Sequence, residues 1–221
     1  MTGRYYIVGD FHGYLSKLKK IISSIKTDIK KDDCIIFLGD YIDRGPSSFE
    51  VIEYLIKLSS IYKTVFLMGN HEDMFITYFS TGENYNNYMR NGGSFTIKSY
   101  IKNLNEFTVP ESHLEFLKNL KLFYEGEDFV AVHGGLNPGV NTIPAQKKHD
   151  LLWIREEFYA NKGRWTKTVI FGHTPTPYLH HSDSIYIDET KNIIGLDTGA
   201  MSDGYPLTCM RWPDRKIYQA Y

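Results

Sequence analysis

Asp10 and His12 stand one residue apart near the N-terminus, and both side chains can bind a divalent cation. In an extended turn alternate side chains point the same way, so the pair could grip one ion. Alone, such a pair is more often a turn with a hydrogen-bonded histidine. About thirty residues on, Asp40 could place one carboxylate oxygen on each of two cations, the arrangement that holds metals roughly 3.5 to 4 Å apart. Asn70, His133 and His173 would add one oxygen and two imidazole nitrogens. Six nitrogen and oxygen donors without a thiolate suit Mn²⁺ first, with Fe or Zn²⁺ as alternatives, rather than a structural zinc or a dedicated Ca²⁺ site. Two divalent metal ions are therefore the expected cofactors.

These residues need elements that bring them together. The apolar run Tyr5-Tyr6-Ile7-Val8 reads as a buried strand that stops at Gly9-Asp10. Cys34 to Leu38 repeats this and stops at Gly39-Asp40, and Thr64 to Met68 stops at Gly69-Asn70-His71. Between the strands, Leu15, Leu18, Ile21, Ile22 and Ile25 recur at helical spacing, as do Phe49, Ile52, Leu55 and Ile56. Further strands are expected over 129–132, ending at His133, over 169–171, ending at Gly172-His173, and over 185–187, 193–196, 207–212 and 216–218. A helix is expected over 110–122. Three βα units followed by a β-rich half predict an α/β fold, a four-layer α/β/β/α sandwich of two mixed sheets, with the polar residues on the edge where the strands end. Residues 1–221 are read as a single domain. An Asn-, Gly- and Tyr-rich stretch from Tyr78 to Asn105 opens a cap-like insertion at about 78–122.

Composition narrows the partners. Lys and Arg number 25 against 26 Asp and Glu, a formal net charge of -1, which removes any global electrostatic case for nucleic acid or a membrane surface. No apolar stretch is long enough to span a membrane. Cys34 and Cys209 share no metal-type spacing and suit buried thiols in a reducing compartment, so a cytoplasmic location is expected.

Five segments occur in order: Gly9-Asp10-Phe11-His12-Gly13, Gly39-Asp40-Tyr41-Ile42-Asp43-Arg44-Gly45, Gly69-Asn70-His71-Glu72, His133-Gly134-Gly135 and Gly172-His173-Thr174-Pro175. Together they resemble the PPP family of calcineurin-like metallophosphoesterases, in particular its bacterial and phage serine/threonine protein phosphatases. The likeness spans residues 5 to about 200. It implies that Asp10, His12 and Asp40 hold one metal, and that Asp40, Asn70, His133 and His173 hold the other, with a hydroxide bridging them as nucleophile. It further implies that His71 protonates the leaving alkoxide, that Asp43 orients the His71 ring, and that Arg44 and Arg155 clamp phosphate oxygens.

The expected activity is hydrolysis of phosphoserine and phosphothreonine monoesters, on a phosphorylated protein or a small phosphate ester. Symmetrical diadenosine tetraphosphatases carry near-identical motifs, so hydrolysis of a dinucleoside polyphosphate is the alternative. A third reading is a binding module that recognises phosphoprotein without cleaving it, although the intact ligand set and His71 argue against it.

Overall fold

The computed structural model describes residues 3–221. β1 (Tyr5–Val8) and β2 (Cys34–Phe37) are short apolar runs, and from Tyr6 to Val8 and throughout β2 every residue is buried. The helix between them, α1 (Leu15–Lys26), buries Leu18, Ile21, Ile22 and Ile25 and leaves Ser16, Lys19 and Lys20 exposed. That division is what a 3.6-residue period dictates for a helix lying on a sheet. α2 (Ser48–Ser59) repeats the arrangement with Val51, Ile52, Leu55 and Leu58, and β3 (Lys63–Phe66) follows.

Four helices then intervene: α3 (Asn70–Thr81), α4 (Tyr85–Arg90), α5 (Gly93–Leu104) and α6 (Glu111–Lys118). The second half runs β4 (Phe123–Glu125), β5 (Phe129–Val132), α7 (Lys148–Trp153), α8 (Glu156–Tyr159), β6 (Thr168–Phe171), α9 (Thr176–His180), β7 (Tyr186–Asp188), β8 (Ile193–Gly195), β9 (Leu207–Trp212) and β10 (Lys216–Ala220).

One sheet has the order β10-β9-β1-β2-β3 and the other β4-β5-β6-β8-β7. In the first, β1, β2 and β3 are parallel and β9 runs antiparallel to β1; in the second, β5, β6 and β8 are parallel, flanked by antiparallel β4 and β7. Both sheets are therefore mixed. Ile7, Ile36 and Leu38 from one and Phe129, Ala131, Ile170 and Ile194 from the other share a single apolar cluster, which is the seam between the sheets. A second cluster joins the first sheet to α1, α2 and the helices that follow β3, and a third joins the second sheet to α7 and α8. The expected four layers follow from these three seams.

The structure differs from the sequence reading mainly in helix content. The 78–105 stretch, read as short helices and loops, contains the 12-residue α5, and the helix expected over 110–122 stops at Lys118. β7 is displaced by one residue, to Tyr186–Asp188. Strand β4 and helices α3, α7, α8 and α9 were not anticipated. Among the described residues no helix is long and apolar enough to cross a membrane.

Candidate metal centre

Every strand that precedes a candidate ligand belongs to a parallel set, so the strands' C-terminal ends open onto one edge. Asp10 and His12 follow β1, Asp40 follows β2, Asn70 opens α3 just after β3, and His133 and His173 follow β5 and β6. All six are buried. Glycine is required at the turns because backbone approaches side chain closely. A Cβ built on Gly69 would lie 2.1 Å from Asp40 Oδ1, and one on Gly172 the same distance from Asp10 Oδ1.

Asp40 is the shared member. Its Oδ2 lies 3.4 Å from His12 Nε2 and 3.9 Å from His71 Nε2, while its Oδ1 lies 3.3 Å from His133 Nε2. Two groups with metal-ligand spacing result, His12 with Asp40 and His71, and Asp40 with His133 and His173. Asn70 Oδ1 joins the second group at 2.9 Å from His133 Nε2. Asp10 stands slightly apart: its Oδ2 accepts the His173 backbone N–H at 2.8 Å, and its Oδ1 is buried without a partner.

The imidazoles are oriented as metal ligands would be. His12 Nδ1 faces the Ile42 carbonyl at 3.1 Å and His133 Nδ1 faces the Leu38 carbonyl at 2.9 Å, so each Nδ1 carries the proton and each Nε2 presents a lone pair inward. Burial holds the pKa values of His12, His133 and His173 below the ordinary histidine value, which keeps the rings neutral. Burial alone would raise Asp40, but the surrounding histidines His133, His71 and His12 outweigh it and hold the carboxyl below its usual range. Asp10 is pushed up by burial, then by the charges of Asp197 and Asp40. Asp197 is buried and accepts the Gly199 N–H at 3.0 Å.

His71 is held differently. Its Nδ1–H donates to Asp43 Oδ2 at 2.7 Å, and its buried Nε2 has no partner. Burial tends to lower its pKa, yet the charges of Asp40 and Asp43 prevail and raise it. Asp43 Oδ1 in turn accepts hydrogen bonds from the Tyr88 hydroxyl at 2.9 Å and the Thr96 hydroxyl at 2.6 Å. Arg44 is half-buried with Nη1 3.3 Å from His12 Nε2 and against Met201 Sδ. Arg155 is exposed, with Nη1 donating to the His173 carbonyl at 3.0 Å and the Thr174 hydroxyl at 3.1 Å. Both guanidinium groups thus adjoin the two histidine groups. His180, by contrast, faces the Ser184 carbonyl and joins neither group.

The sequence reading passed over Glu72, although it quoted the residue. Its two oxygens accept the N–H groups of Asp40, Tyr41 and Gly69 at 2.8 to 2.9 Å and that of Ile42 at 3.3 Å. Burial and the neighbouring Asp40 push its pKa up to about 8, against the pull of those backbone donors. The signal was present: Glu72 sits at the third helical position after Gly69, where an acid reaches back to the N-cap N–H. Tyr88 and Thr96 left no such sign.

His12, Asp40, Asp43, Arg44 and His173 all have positive φ, between 41° and 68°. Left-handed backbone costs an L-residue on the order of 1 kcal/mol, so their concentration at one edge points to a functional constraint. Divalent cations fit this edge. It offers nitrogen and oxygen donors only, and buries Asp10 Oδ1 and His173 Nε2 with no partner, a costly state that a bound cation would relieve.

The calcineurin-like phosphoesterase family profile matches residues 3–196. A symmetrical bis(5'-nucleosyl)-tetraphosphatase of Vibrio campbellii is 24% identical over 283 aligned positions, covering 96% of this chain and 97% of its own. A PP2A-like serine/threonine-protein phosphatase of Saccharomyces cerevisiae is 36% identical over 141 positions, covering 62% of this chain and 34% of its own. A solved structure provisionally assigned as a diadenosine tetraphosphatase superposes with a TM-score of 0.73 at 21% identity, covering 100% of this chain and 94% of that one, which is a likeness of fold.

Proposed function

Because the chain belongs to the calcineurin-like phosphoesterase family, we propose that this hydrolase of phosphoester bonds uses two divalent cations to cleave phosphoserine and phosphothreonine monoesters. The observation that carries the reading is the single Asp40 carboxylate with one oxygen toward His12 and the other toward His133. In this proposal Asp10, His12 and Asp40 hold one cation, and Asp40, Asn70, His133 and His173 hold the other. Mn²⁺ suits the donors, as do Fe and Zn²⁺. A bound cation pair supplies Lewis acidity, lowering the pKa of water and drawing charge from phosphoryl oxygens.

The chain's own residues do the rest. Arg44 and Arg155 offer planar guanidinium donors from two sides, which fixes the phosphoryl group for in-line attack. His71 Nε2 is the free end of a ring whose other nitrogen is tied to Asp43, so it can give its proton to the leaving alkoxide. Asp43 holds the ring's orientation and stabilises its charge. Glu72 fixes the backbone that carries Asp40.

One feature supports the monoester as substrate: identity is higher toward the yeast protein phosphatase, 36% over 141 positions, than toward the Vibrio tetraphosphatase, 24% over 283. A second reading, hydrolysis of a dinucleoside polyphosphate, is favoured by the end-to-end coverage of that same relative. The two are separated by assaying the Mn²⁺-loaded protein for phosphate release from phosphoserine and phosphothreonine peptides and for ADP formation from diadenosine tetraphosphate. Phosphate release with intact tetraphosphate is expected; ADP formation with intact peptides would hand the assignment to the second reading.

A further inference from the structure

The segment from α4 to the start of α5 closes on the turn that carries Asp43 and Arg44. Both turn residues are left-handed, with φ of 68° and 64°, so the turn is held in place by its surroundings rather than by its own preference. Its backbone donors are received largely by that segment: Asp43 N–H by the Thr96 hydroxyl at 2.9 Å and by Ser48 at 3.1 Å, and Arg44 N–H by the Gly92 carbonyl at 3.3 Å. Gly92 has φ 97°, and a Cβ there would come within 2.8 Å of Arg44 Cγ. Backbone and side chain of the turn are thus both in contact with the segment.

The Asp43 carboxylate is gripped from the same side. Tyr88 and Thr96 are fully buried, and each spends its hydroxyl hydrogen on Asp43 Oδ1, leaving Oδ2 for His71. The Thr96 hydroxyl has one hydrogen, so with that given to Oδ1, its contact of 2.9 Å with Ser48 is one in which Ser48 donates. One hydroxyl therefore pins Asp43 at both its amide and its carboxylate. Packing alone explains the Tyr88 ring, which stacks on Tyr78 at 5.2 Å, but it does not explain where the hydroxyl points.

We propose that Tyr88, Gly92 and Thr96 are positioning residues for the reaction: they hold Asp43 against His71 and Arg44 against the phosphate site, so this insertion serves proton delivery. The inference rests on the phosphoesterase reading above and on His71 as proton donor. It assigns the insertion a role that varies with the leaving group. An alkoxide or phenoxide needs a proton as it departs, whereas dinitrophenolate does not.

The test compares Zn²⁺-loaded parent, Tyr88→Phe, Thr96→Val and Thr96→Ser, with folding checked by circular dichroism and thermal unfolding. On phenyl phosphate, kcat should fall about tenfold in Tyr88→Phe and Thr96→Val, a part of the roughly hundredfold or greater effect of a positioned acid. KM should stay within about twofold, and kcat on 2,4-dinitrophenyl phosphate should hardly change. Thr96→Ser, which keeps the hydroxyl, should recover phenyl phosphate turnover. Independently of turnover, the downfield ¹H resonance of the His71 Nδ1–H, assigned by its loss in His71→Asn, should be sharp in parent and Thr96→Ser and broadened or lost in the other two. Equal losses on both esters, no loss on either, or an unchanged resonance would overturn the proposal. If Thr96→Val unfolds, the near-isosteric Tyr88→Phe carries the same decision. A parent that cleaves no phosphomonoester, while its His71 resonance still responds to the variants, would sink the monoester reading and uphold the positioning role.

Discussion

Asp40 Oδ2 and His71 Nε2 lie 3.9 Å apart, yet the chemistry of the two residues separates cleanly. Asp40 faces both histidine groups, so Asp40→Asn should strip both cations together, read as a fall from two metal equivalents to well below one by elemental analysis of the loaded protein. His71 already gives Nδ1 to Asp43, and its Nε2 is unpartnered. His71→Asn should keep metal content nearly unchanged and lower kcat about 10²-fold or more, because it removes proton transfer. Because His71 also lies at ligand spacing with His12 and Asp40, loss of one equivalent in that variant would instead make it a ligand. At this scale the sequence was informative wherever a residue could act through its own type. It said little about Tyr88 and Thr96, because a tyrosine and a threonine acquire their roles only from a partner some fifty residues away.

At the scale of elements, the strands were readable because continuous apolar runs of four residues, closed by glycine, have few alternative uses. Helices α7, α8 and α9, of six, four and five residues, are too short to display a period. α3 was hidden for another reason: its first turn is Asn70, His71 and Glu72, all buried polar residues, so the site overrides the amphipathic pattern. Glu72 then joins two elements by accepting N–H groups from the turn after β2 and from Gly69. Glu72→Gln keeps one acceptor oxygen but sets an NH₂, which cannot accept, against the N–H groups that the other oxygen receives. It should cost roughly 1–3 kcal/mol, visible as a melting temperature lower by several degrees in the metal-free protein. An unchanged melting temperature would mean that the brace is dispensable.

Over the whole molecule, the layers follow from three apolar seams, and the opposite edge of the first sheet is closed electrostatically. Asp33 accepts the Arg4 and Lys30 N–H groups, each at 2.8 Å, and pairs with the Arg4 guanidinium at 2.8 Å. Burial would raise this carboxyl, but the Arg4 guanidinium and those N–H groups prevail and hold it below its ordinary 3.8. A depressed carboxyl stabilises the fold above its unfolded value and loses that contribution as pH falls through the folded one. Asp33→Asn should therefore be less stable than the parent by roughly 1–2 kcal/mol above pH 5, with the gap narrowing below pH 4. Thermal unfolding from pH 6 to pH 3 checks this, and a gap that widens in acid would refute it. Substrate choice is the property least visible at this scale, because a shared chemical edge serves esters and anhydrides alike.

The left-handed corners at His12, Asp40, Asp43, Arg44 and His173 carry one more implication. Each is a small debt that the rest of the fold must cover, and at this edge hydrolysis gives a reason to keep it. A descendant released from turning over substrate would gain stability by relaxing those five positions toward glycine or asparagine. Loss of activity in this lineage should thus appear first at these five corners, before His71 and His133, which carry no left-handed backbone, are replaced.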